Sequence, residues 1–259
     1  MSSEKKRLPF ALKALGIHFA ASCTVALVIA WLVFYVWVPA PYQGLLQTHQ
    51  LFMLLLLVDV VCGPLLTALL ANPAKTHKEL CLDFGLVVLI QLGALAYGLH
   101  TIAGARPVAL VFEVDRFAVV SASQIDAQDL ARAPADFQKL SWRGPMLMGS
   151  RAAYNPDEKL RSIELSLQGI EPSARPGWWQ SYELSRPQAI ARMQPLQALH
   201  QRLPAAHRQL VDAQLHKLQR SVEQTFYLPL VSSHQLDSWI VLLDAQASIV
   251  GHVAVDGFQ

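Results

Sequence analysis

The sequence contains few cysteines and few charged residues for its length, and each scarcity excludes a class of protein. Three cysteines occur in 259 residues, and none follows Cys81, so the C-terminal part of the chain folds without disulfides. Charged residues make up 15% of the chain and hydrophobic residues 53%. That balance is too apolar for a wholly soluble protein and too charged for a wholly embedded one. The composition predicts one part in lipid and one part in water.

The sequence also lacks the motifs that carry enzyme chemistry. It has no HExxH zinc motif, no GxSxG nucleophile elbow, no phosphate-binding P-loop and no GxGxxG dinucleotide motif. The histidines of the C-terminal part are widely spaced and form no metal-ligand pair one helical turn apart: His200, His207, His216, His234 and His252. We therefore predict that the chain is not an enzyme and that it holds no cofactor and no metal.

Three apolar windows are long enough to cross the roughly 30 Å hydrocarbon core of a bilayer: residues 14–38, 51–71 and 81–103. The first window resembles a secretory signal, but it exceeds the apolar length of one, and Pro41 follows the candidate cleavage site and hinders cleavage. We interpret it as an uncleaved anchor. The sequence thus predicts a membrane domain over residues 1–105 and a water-exposed domain over residues 106–259.

The distribution of basic residues predicts the orientation of the chain. Within the membrane domain they lie in the N-terminal tail and in the second connection: Lys5, Lys6, Arg7, Lys13, Lys75 and Lys78. The first connection, residues 39–50, has none. Positive residues stay on the cytoplasmic side, so the N-terminus is predicted to be cytoplasmic and the C-terminal domain to be outside. That domain carries 15 basic and 15 acidic residues, and its neutrality argues against nucleic acid as a partner.

Two polar residues interrupt the second and third windows at about the same depth. Asp59 and Gln91 both lie near the middle of their windows, where an ionised carboxylate is costly by roughly 3 kcal/mol. One interpretation is a structural clasp, in which the Gln91 amide donates to the Asp59 carboxyl. A second is that Asp59 meets a polar group on the helix of a partner, and a third is proton or ion transport. Pro64 is expected to remove the hydrogen bond to the Val60 carbonyl and to kink the helix beside Asp59.

The C-terminal domain shows strand patterns at both ends and helical patterns between them. Strands are predicted over residues 108–112, 117–120, 226–231, 239–243 and 249–255, and a further one within 142–151. Helices are predicted over residues 125–131, 157–168, 185–203 and 204–222, the third being interrupted at Pro195. The pattern predicts an α+β domain with a mainly antiparallel sheet.

An aromatic cluster lies in and after a Pro-Gly loop of this domain. Trp178, Trp179 and Tyr182 are either plugs of the core or part of a surface that binds a partner, because large rigid side chains serve both purposes. The sequence alone leaves both interpretations open.

The run RPVALVFEVDRFAVVSA, from Arg106 to Ala122, follows three windows of which the second holds an Asp near Gly-Pro. In this combination the chain resembles the TfpX/TfpZ family of type IV pilin accessory proteins. The resemblance implies a multi-pass protein of the inner membrane of a Gram-negative bacterium, with its large domain in the periplasm. It also implies that the protein assists the major pilin before or during pilus assembly, in contact with membrane lipid and with the assembly machinery.

The resemblance suggests a role for each of the singled-out residues. Asp59 and Gln91 are the candidates for contact with the transmembrane helix of the pilin, and Trp178, Trp179 and Tyr182 for contact with its globular head. The competing hypothesis is a periplasmic ligand sensor that signals through a separate partner. The short cytoplasmic segments, a basic tail and residues 72–80, disfavour it because they offer little to transmit a signal.

Overall fold

The computed structural model describes residues 2–258, with side chains from Arg7 onward. Contacts between residues divide the chain into two compact units, Met1–Gly104 and Ala105–Gln259. We refer to them as the first and the second unit and describe each by itself.

The first unit is built from helices that follow the apolar windows. Their bounds are α1 Ser2–Trp31, α2 Tyr42–Leu45, α3 Thr48–Leu56, α4 Gly63–Leu70 and α5 His77–Ala105, with π-helical segments at Leu32–Trp37 and Leu57–Cys62. Together with these segments they form three long helices, Arg7–Trp37, Thr48–Leu70 and His77–Ala105. Each is long and apolar enough to cross a bilayer, so the prediction of three long apolar helices is confirmed. We call them the first, second and third span.

The π-helical segment of the second span changes which carbonyl is left without a donor. There the N–H of Gly63 donates to the carbonyl of Val58, five residues earlier. In the same register the carbonyl of Asp59 would accept from Pro64, which has no N–H. The prediction that Val60 loses its donor assumed α-helical spacing. The π register moves the loss one residue back, to Asp59.

The third span packs against the second at two glycines. A Cβ at Gly63 would lie 1.8 Å from Gln91 Nε2, and a Cβ at Gly98 would lie 2.7 Å from Leu55 Cδ1. Each glycine therefore provides the space that the facing side chain fills. Two further glycines of α5, Gly85 and Gly93, face open space.

The second unit contains one sheet of eight strands. Their bounds are β1 Pro107–Glu113, β2 Arg116–Ser121, β3 Met146–Ser150, β4 Trp179–Ser181, β5 Gln194–Pro195, β6 Phe226–Ser232, β7 Trp239–Leu243 and β8 Ile249–Val253. The order across the sheet is β4-β3-β1-β2-β6-β7-β8, and β5 pairs separately with β6.

The sheet is mixed, so the prediction of a mainly antiparallel sheet is wrong. β1 pairs in parallel with β3, and β2 pairs in parallel with β6. A parallel pair needs a long crossover, and the connections that precede β3 and β6 provide one. The prediction treated strands near in sequence as neighbours, whereas these two strands join the sheet after long excursions and run in the direction of their partners.

Helices of the second unit occupy the connections. They are α6 Ala127–Leu130, α7 Pro156–Leu167, α8 Tyr182–Arg192, α9 Leu196–Arg202 and α10 Ala205–Leu218. The predicted interruption at Pro195 is confirmed, because α8 ends at Arg192 and α9 begins after that proline. The N-cap of α8 is Ser181, which accepts from the backbone N–H of Glu183, and Ser185, where the helix was predicted to begin, is buried inside it.

The core of the second unit consists of two clusters of buried apolar side chains. One joins α9 and α10 to β6, β7 and β8 through Leu196, Leu199, Val211, Leu215, Tyr227, Ile240, Leu242 and Val253. The other covers β1 and β3 and includes Val108, Val111, Val120, Met148, Ala174 and Trp179. Both clusters depend on strand residues that alternate between the two faces of the sheet.

The two strands predicted over residues 108–112 and 117–120 form a hairpin, β1 and β2, with a strained tip. β1 and β2 pair antiparallel, with Glu113 opposite Arg116. Val114, at the tip, has a φ of 58° and is 58% exposed. A β-branched residue in the left-handed region is an outlier, because its Cβ crowds the backbone. The conformation is therefore held by the pairing of the two strands.

We expect Val114→Gly to raise the free energy of unfolding of the second unit by about 1 kcal/mol. Relief of the left-handed strain is worth about 1–3 kcal/mol, and the added freedom of glycine in the unfolded chain offsets about 0.4–1 kcal/mol of it. Hydrogen exchange of β1 and β2 in the full chain measures the change. Ala152→Gly, in an exposed segment where φ is not positive, is the control and should destabilise slightly. If both variants lose stability equally, the prediction that Val114 is strained is wrong.

Candidate functional site: a groove with a polar centre in the first unit

A groove with a volume of about 630 Å³ lies in the first unit between α1 and α5. Apolar side chains such as Val25 of α1 and Leu92 of α5 form its walls, and the second span contributes Leu55 and Asp59. An apolar groove in a span-forming unit is filled by acyl chains or by another helix, because both match its walls.

Six polar residues line this groove: Lys13, His18, Ser22, Asp59, Thr67 and Gln91. Asp59 is the middle residue of the second span, Thr48–Leu70, and Gln91 is the middle residue of the third, His77–Ala105. The predicted equal depth of these two residues therefore corresponds to a direct contact. In a bilayer the pair would lie near the midplane, where polar groups are most costly.

Gln91 donates to the backbone of Asp59 and not to its carboxyl group. Its Nε2 lies 3.1 Å from the Asp59 carbonyl oxygen. The structural clasp between these two residues is therefore present, but its acceptor is the Asp59 carbonyl instead of the carboxyl group, and the reason is local. The π register and Pro64 leave that carbonyl without a backbone donor, and the Gln91 amide replaces the missing one.

One oxygen of the Asp59 carboxyl group has no hydrogen-bond donor among the described residues. Asp59 is 9% exposed, and its Oδ1 atom is buried without a hydrogen-bond partner among residues 7–258. His18 Nδ1 and Thr67 Oγ1 lie 2.5 Å apart and satisfy each other instead. A buried acceptor without a donor costs about 1–3 kcal/mol. Asp59 lines the groove, and a donor on an incoming group that reached this buried atom would satisfy it.

Sequence reasoning missed two polar members of this centre, His18 and Thr67. The first window did contain a signal for His18, which is the only ionisable residue between Lys13 and Cys23. His18 and Ser22 are four residues apart, and that spacing predicts one helix face. What the sequence did not reveal is that Thr67 on the second span meets this face.

The aromatic cluster of the second unit separates into buried and accessible members. Trp179 is 2% exposed and donates from Nε1 to the Ser173 carbonyl at 2.7 Å. Tyr182 is 4% exposed and donates to the Ala247 carbonyl at 2.6 Å. These two side chains fill the core of the unit, and their polar atoms are hydrogen-bonded. Partner contact stays a prediction for the cluster, and Trp178 is its accessible member.

Trp178 is half-buried between two arginines. The guanidinium of Arg151 lies 4.7 Å from a Trp178 ring centroid, and that of Arg175 lies 5.4 Å from it. Arg151 also stacks at 3.8 Å on Tyr154 and pairs with Glu158 at 2.6 Å. The Arg151 side chain holds the pKa of the Glu158 carboxyl at about 2. This arrangement fixes the loop of Trp178 to the start of α7.

Comparison with known proteins identifies relatives that match the whole chain. The fimbrial assembly protein of serogroup I of Dichelobacter nodosus is 39% identical over 255 residues, which covers 98% of this chain and 99% of that protein. The serogroup E1 protein is 38% identical with the same coverage. The protein of serogroups C1 and C2 is 48% identical over 129 residues, 50% of this chain and 98% of its own length.

A family model described as "Fimbrial assembly protein FimB" matches residues 6–47. That stretch contains the first span, which forms one wall of the groove. No solved structure matches the chain.

Proposed function

Because this chain belongs to the family of fimbrial assembly proteins, we propose that it holds the membrane helix of a fimbrial subunit in the groove before assembly. The subunit in this proposal is the major pilin of a type IV pilus, and the chain is an accessory protein of the TfpX/TfpZ kind. It holds an inserted subunit, keeps it from aggregating or being degraded, and releases it to the assembly machinery.

The unpartnered Asp59 Oδ1 atom is the observation that carries this proposal. Lipid tails offer no hydrogen-bond donor, so a groove filled only by lipid leaves the atom unsatisfied. A helix with a donor at mid-depth satisfies it, and interhelical hydrogen bonds of this kind are worth about 0.6–2 kcal/mol. The contribution is small enough to allow release, as a carrier requires.

The proposal includes a location for the chain. The chain lies in the inner membrane with its N-terminus in the cytoplasm, and the second unit lies in the periplasm. The support is the concentration of basic residues in the N-terminal tail and second connection, and their absence from residues 39–50. In this orientation the second unit is on the side where the soluble head of an inserted subunit emerges, and Trp178 is our candidate for contact with that head.

Recovery of the subunit with tagged full-length protein tests the proposal. Asp59→Leu removes the acceptor, and we expect recovery to fall by about three- to tenfold, the equivalent of one interhelical hydrogen bond. Asp59→Asn keeps an acceptor oxygen and should lose less. Asp83→Asn, which removes the charge of a residue paired with Lys75 at 2.6 Å, is the matched control and should behave as wild type.

The expected loss does not depend on misfolding, because Leu is more favourable than Asp at the centre of a span. Equal amounts of each variant in the membrane fraction verify this. Undiminished recovery with Asp59→Leu at equal amount would overturn the proposed contact. Loss with Asp83→Asn to the same extent would assign the effect to charge in general and would also overturn it.

A further inference from the structure

The helix α7 of the second unit presents its apolar face to solvent. Leu160 is 62% exposed, Ile163 51% and Leu167 85%. Their spacing of three and then four residues aligns them on one side of the helix. We call these three residues the α7 stripe. A stripe of this kind ordinarily packs on the core of its own domain, and here it does not.

The opposite face of α7 carries polar residues together with the half-buried Leu165, and it attaches the helix to the unit. Arg175, which is 5% exposed, donates to Ser162 Oγ at 2.8 Å, to the Ser162 carbonyl at 2.9 Å and to Ser166 Oγ at 3.1 Å. Arg151 pairs with Glu158 at the first turn. Glu158, Ser162 and Ser166 recur every four residues, so one face carries all the anchors. The arginines therefore fix the orientation that turns the stripe outward.

We propose that the α7 stripe docks into an apolar groove on the soluble part of the fimbrial subunit. The proposal rests on the proposed function, which supplies the partner, and it adds a second contact remote in sequence from the membrane groove. Helix-in-groove recognition uses such i, i+3 and i+7 anchors. Because α7 is already held in place by its anchors, little order is lost on docking.

The borders of the stripe add a charge requirement for the partner. On the helical wheel Asp157 and Glu164 fall on one border of the stripe and Lys159 on the other. A complementary groove carries basic side chains along the first border and an acidic one along the second. A symmetric antiparallel pairing of two α7 helices would place like charges opposite each other, which disfavours that form of contact between two copies of this chain.

The size of the stripe also favours a transient partner. Three exposed side chains cover only a few hundred Å², whereas a stable interface buries about 800 Å² on each partner. A permanent dimer through this surface is therefore unsupported, and a short-lived encounter fits. A subunit that must be handed on to a growing fimbria requires an encounter of that kind.

The segment that contains α7 joins the sheet at one end of it. It leaves the sheet after Ser150 and rejoins it at Trp179, which is the partner of Ser150 in the register. Because β3 runs parallel to β1, both points lie at the end of the sheet opposite Pro107, the first residue of β1. A lipid bilayer and a second copy of this chain are the alternative occupants of the stripe, and the experiment below separates them from the subunit.

Site-specific photo-crosslinking of the full chain in cells that make the subunit tests the docking. A photoreactive residue at position 167 should crosslink to the subunit, identified with an antibody against it. A probe at Leu236, which is 67% exposed and follows β6 at the opposite end of the sheet, is the matched control and should not crosslink. Leu160→Glu combined with Ile163→Glu should reduce the crosslink from position 167 about tenfold, because it places charge in an apolar contact.

A third probe at Leu92, in the membrane groove, separates this inference from the proposed function. If Leu92 captures the subunit and position 167 captures a second copy, lipid or nothing, the α7 docking is wrong and the proposed function stands. Equal capture at positions 167 and 236 would also overturn the docking. If neither Leu92 nor position 167 captures the subunit, both proposals fail. Since the stripe is exposed, its substitutions leave folding unchanged, which hydrogen exchange of β1 verifies.

Discussion

Replacing Trp179 with alanine should lower the free energy of unfolding of the second unit by about 3–5 kcal/mol, the usual loss for a fully buried tryptophan. Trp179 packs in the cluster that covers β1 and β3, and its Nε1 satisfies the Ser173 carbonyl. The variant leaves both a cavity and an acceptor without its donor. For a unit of this size the loss corresponds to a fall in the unfolding midpoint of roughly 10 °C. Thermal unfolding of the full chain in detergent measures it.

Trp178→Ala is the matched control, because the same side chain is removed one residue earlier. Trp178 is half-buried and its contacts are mainly with Arg151 and Arg175, so we expect a loss of about 1 kcal/mol. If the two variants lose equal stability, the assignment of Trp179 to the core and of Trp178 to the surface is wrong. If Trp178→Ala also reduces recovery of the subunit while the unit stays folded, the proposed head contact gains support.

Acidification from pH 6.5 to pH 4 should destabilise the second unit by about 3 kcal/mol through one histidine. Burial lowers the pKa of His252, on β8, from 6.5 to about 4. Over this interval the unfolded chain takes up a proton that the folded chain does not, so the free energy of unfolding falls as the pH falls. Each pH unit contributes about 1.4 kcal/mol at most. The contribution levels off below the pKa of about 4 that His252 has in the folded chain.

Urea unfolding of the full chain between pH 7 and pH 4 measures this dependence, and His252→Gln isolates it. Glutamine keeps a polar side chain of similar length but does not titrate, so its stability should vary less with pH. The comparison is needed because burial raises the pKa of Glu113, which acts in the opposite direction. Glu158 acts in the same direction as His252 at the acid end of this range, because its pKa of about 2 in the folded chain lies below its usual value and the unfolded chain takes up the proton first, from about pH 5 downward. His252→Gln retains this contribution, so the difference between the two curves reports His252. Parallel curves for wild type and His252→Gln would contradict the role of His252.

Local patterns predicted the elements of the fold well. The apolar windows predicted the three long helices, and the sequence around Asp157–Gln168 predicted α7 to within one residue at each end. Strand direction was not predictable, because it depends on the path of the connections before β3 and β6. The three-residue β4 was missed because it is too short to show an alternating pattern, and it exists through its pairing with β3.

The candidate sites were also predicted only in part. Depth counted along each window identified Asp59 and Gln91 as neighbours, but not the atoms that meet, because the π register is a property of the packed helix. The sequence predicted α7 as a helix, but not which of its faces turns to solvent. That direction is set by Arg175, whose partners Ser162 and Ser166 are polar residues unremarkable in the sequence.

The excursion from Arg151 to Trp178 begins and ends at adjacent points, since the backbone N–H of Arg151 donates to the carbonyl of Trp178 at 2.9 Å. Because these ends stay paired, the part of the segment that contains α7 is able to change in sequence and length, whereas Ser173 and Ala174 are held by Trp179 and by the cluster that covers β1 and β3. If α7 docks on the subunit as proposed, changes in this helix alone would suit it to a different subunit, with the sheet retained.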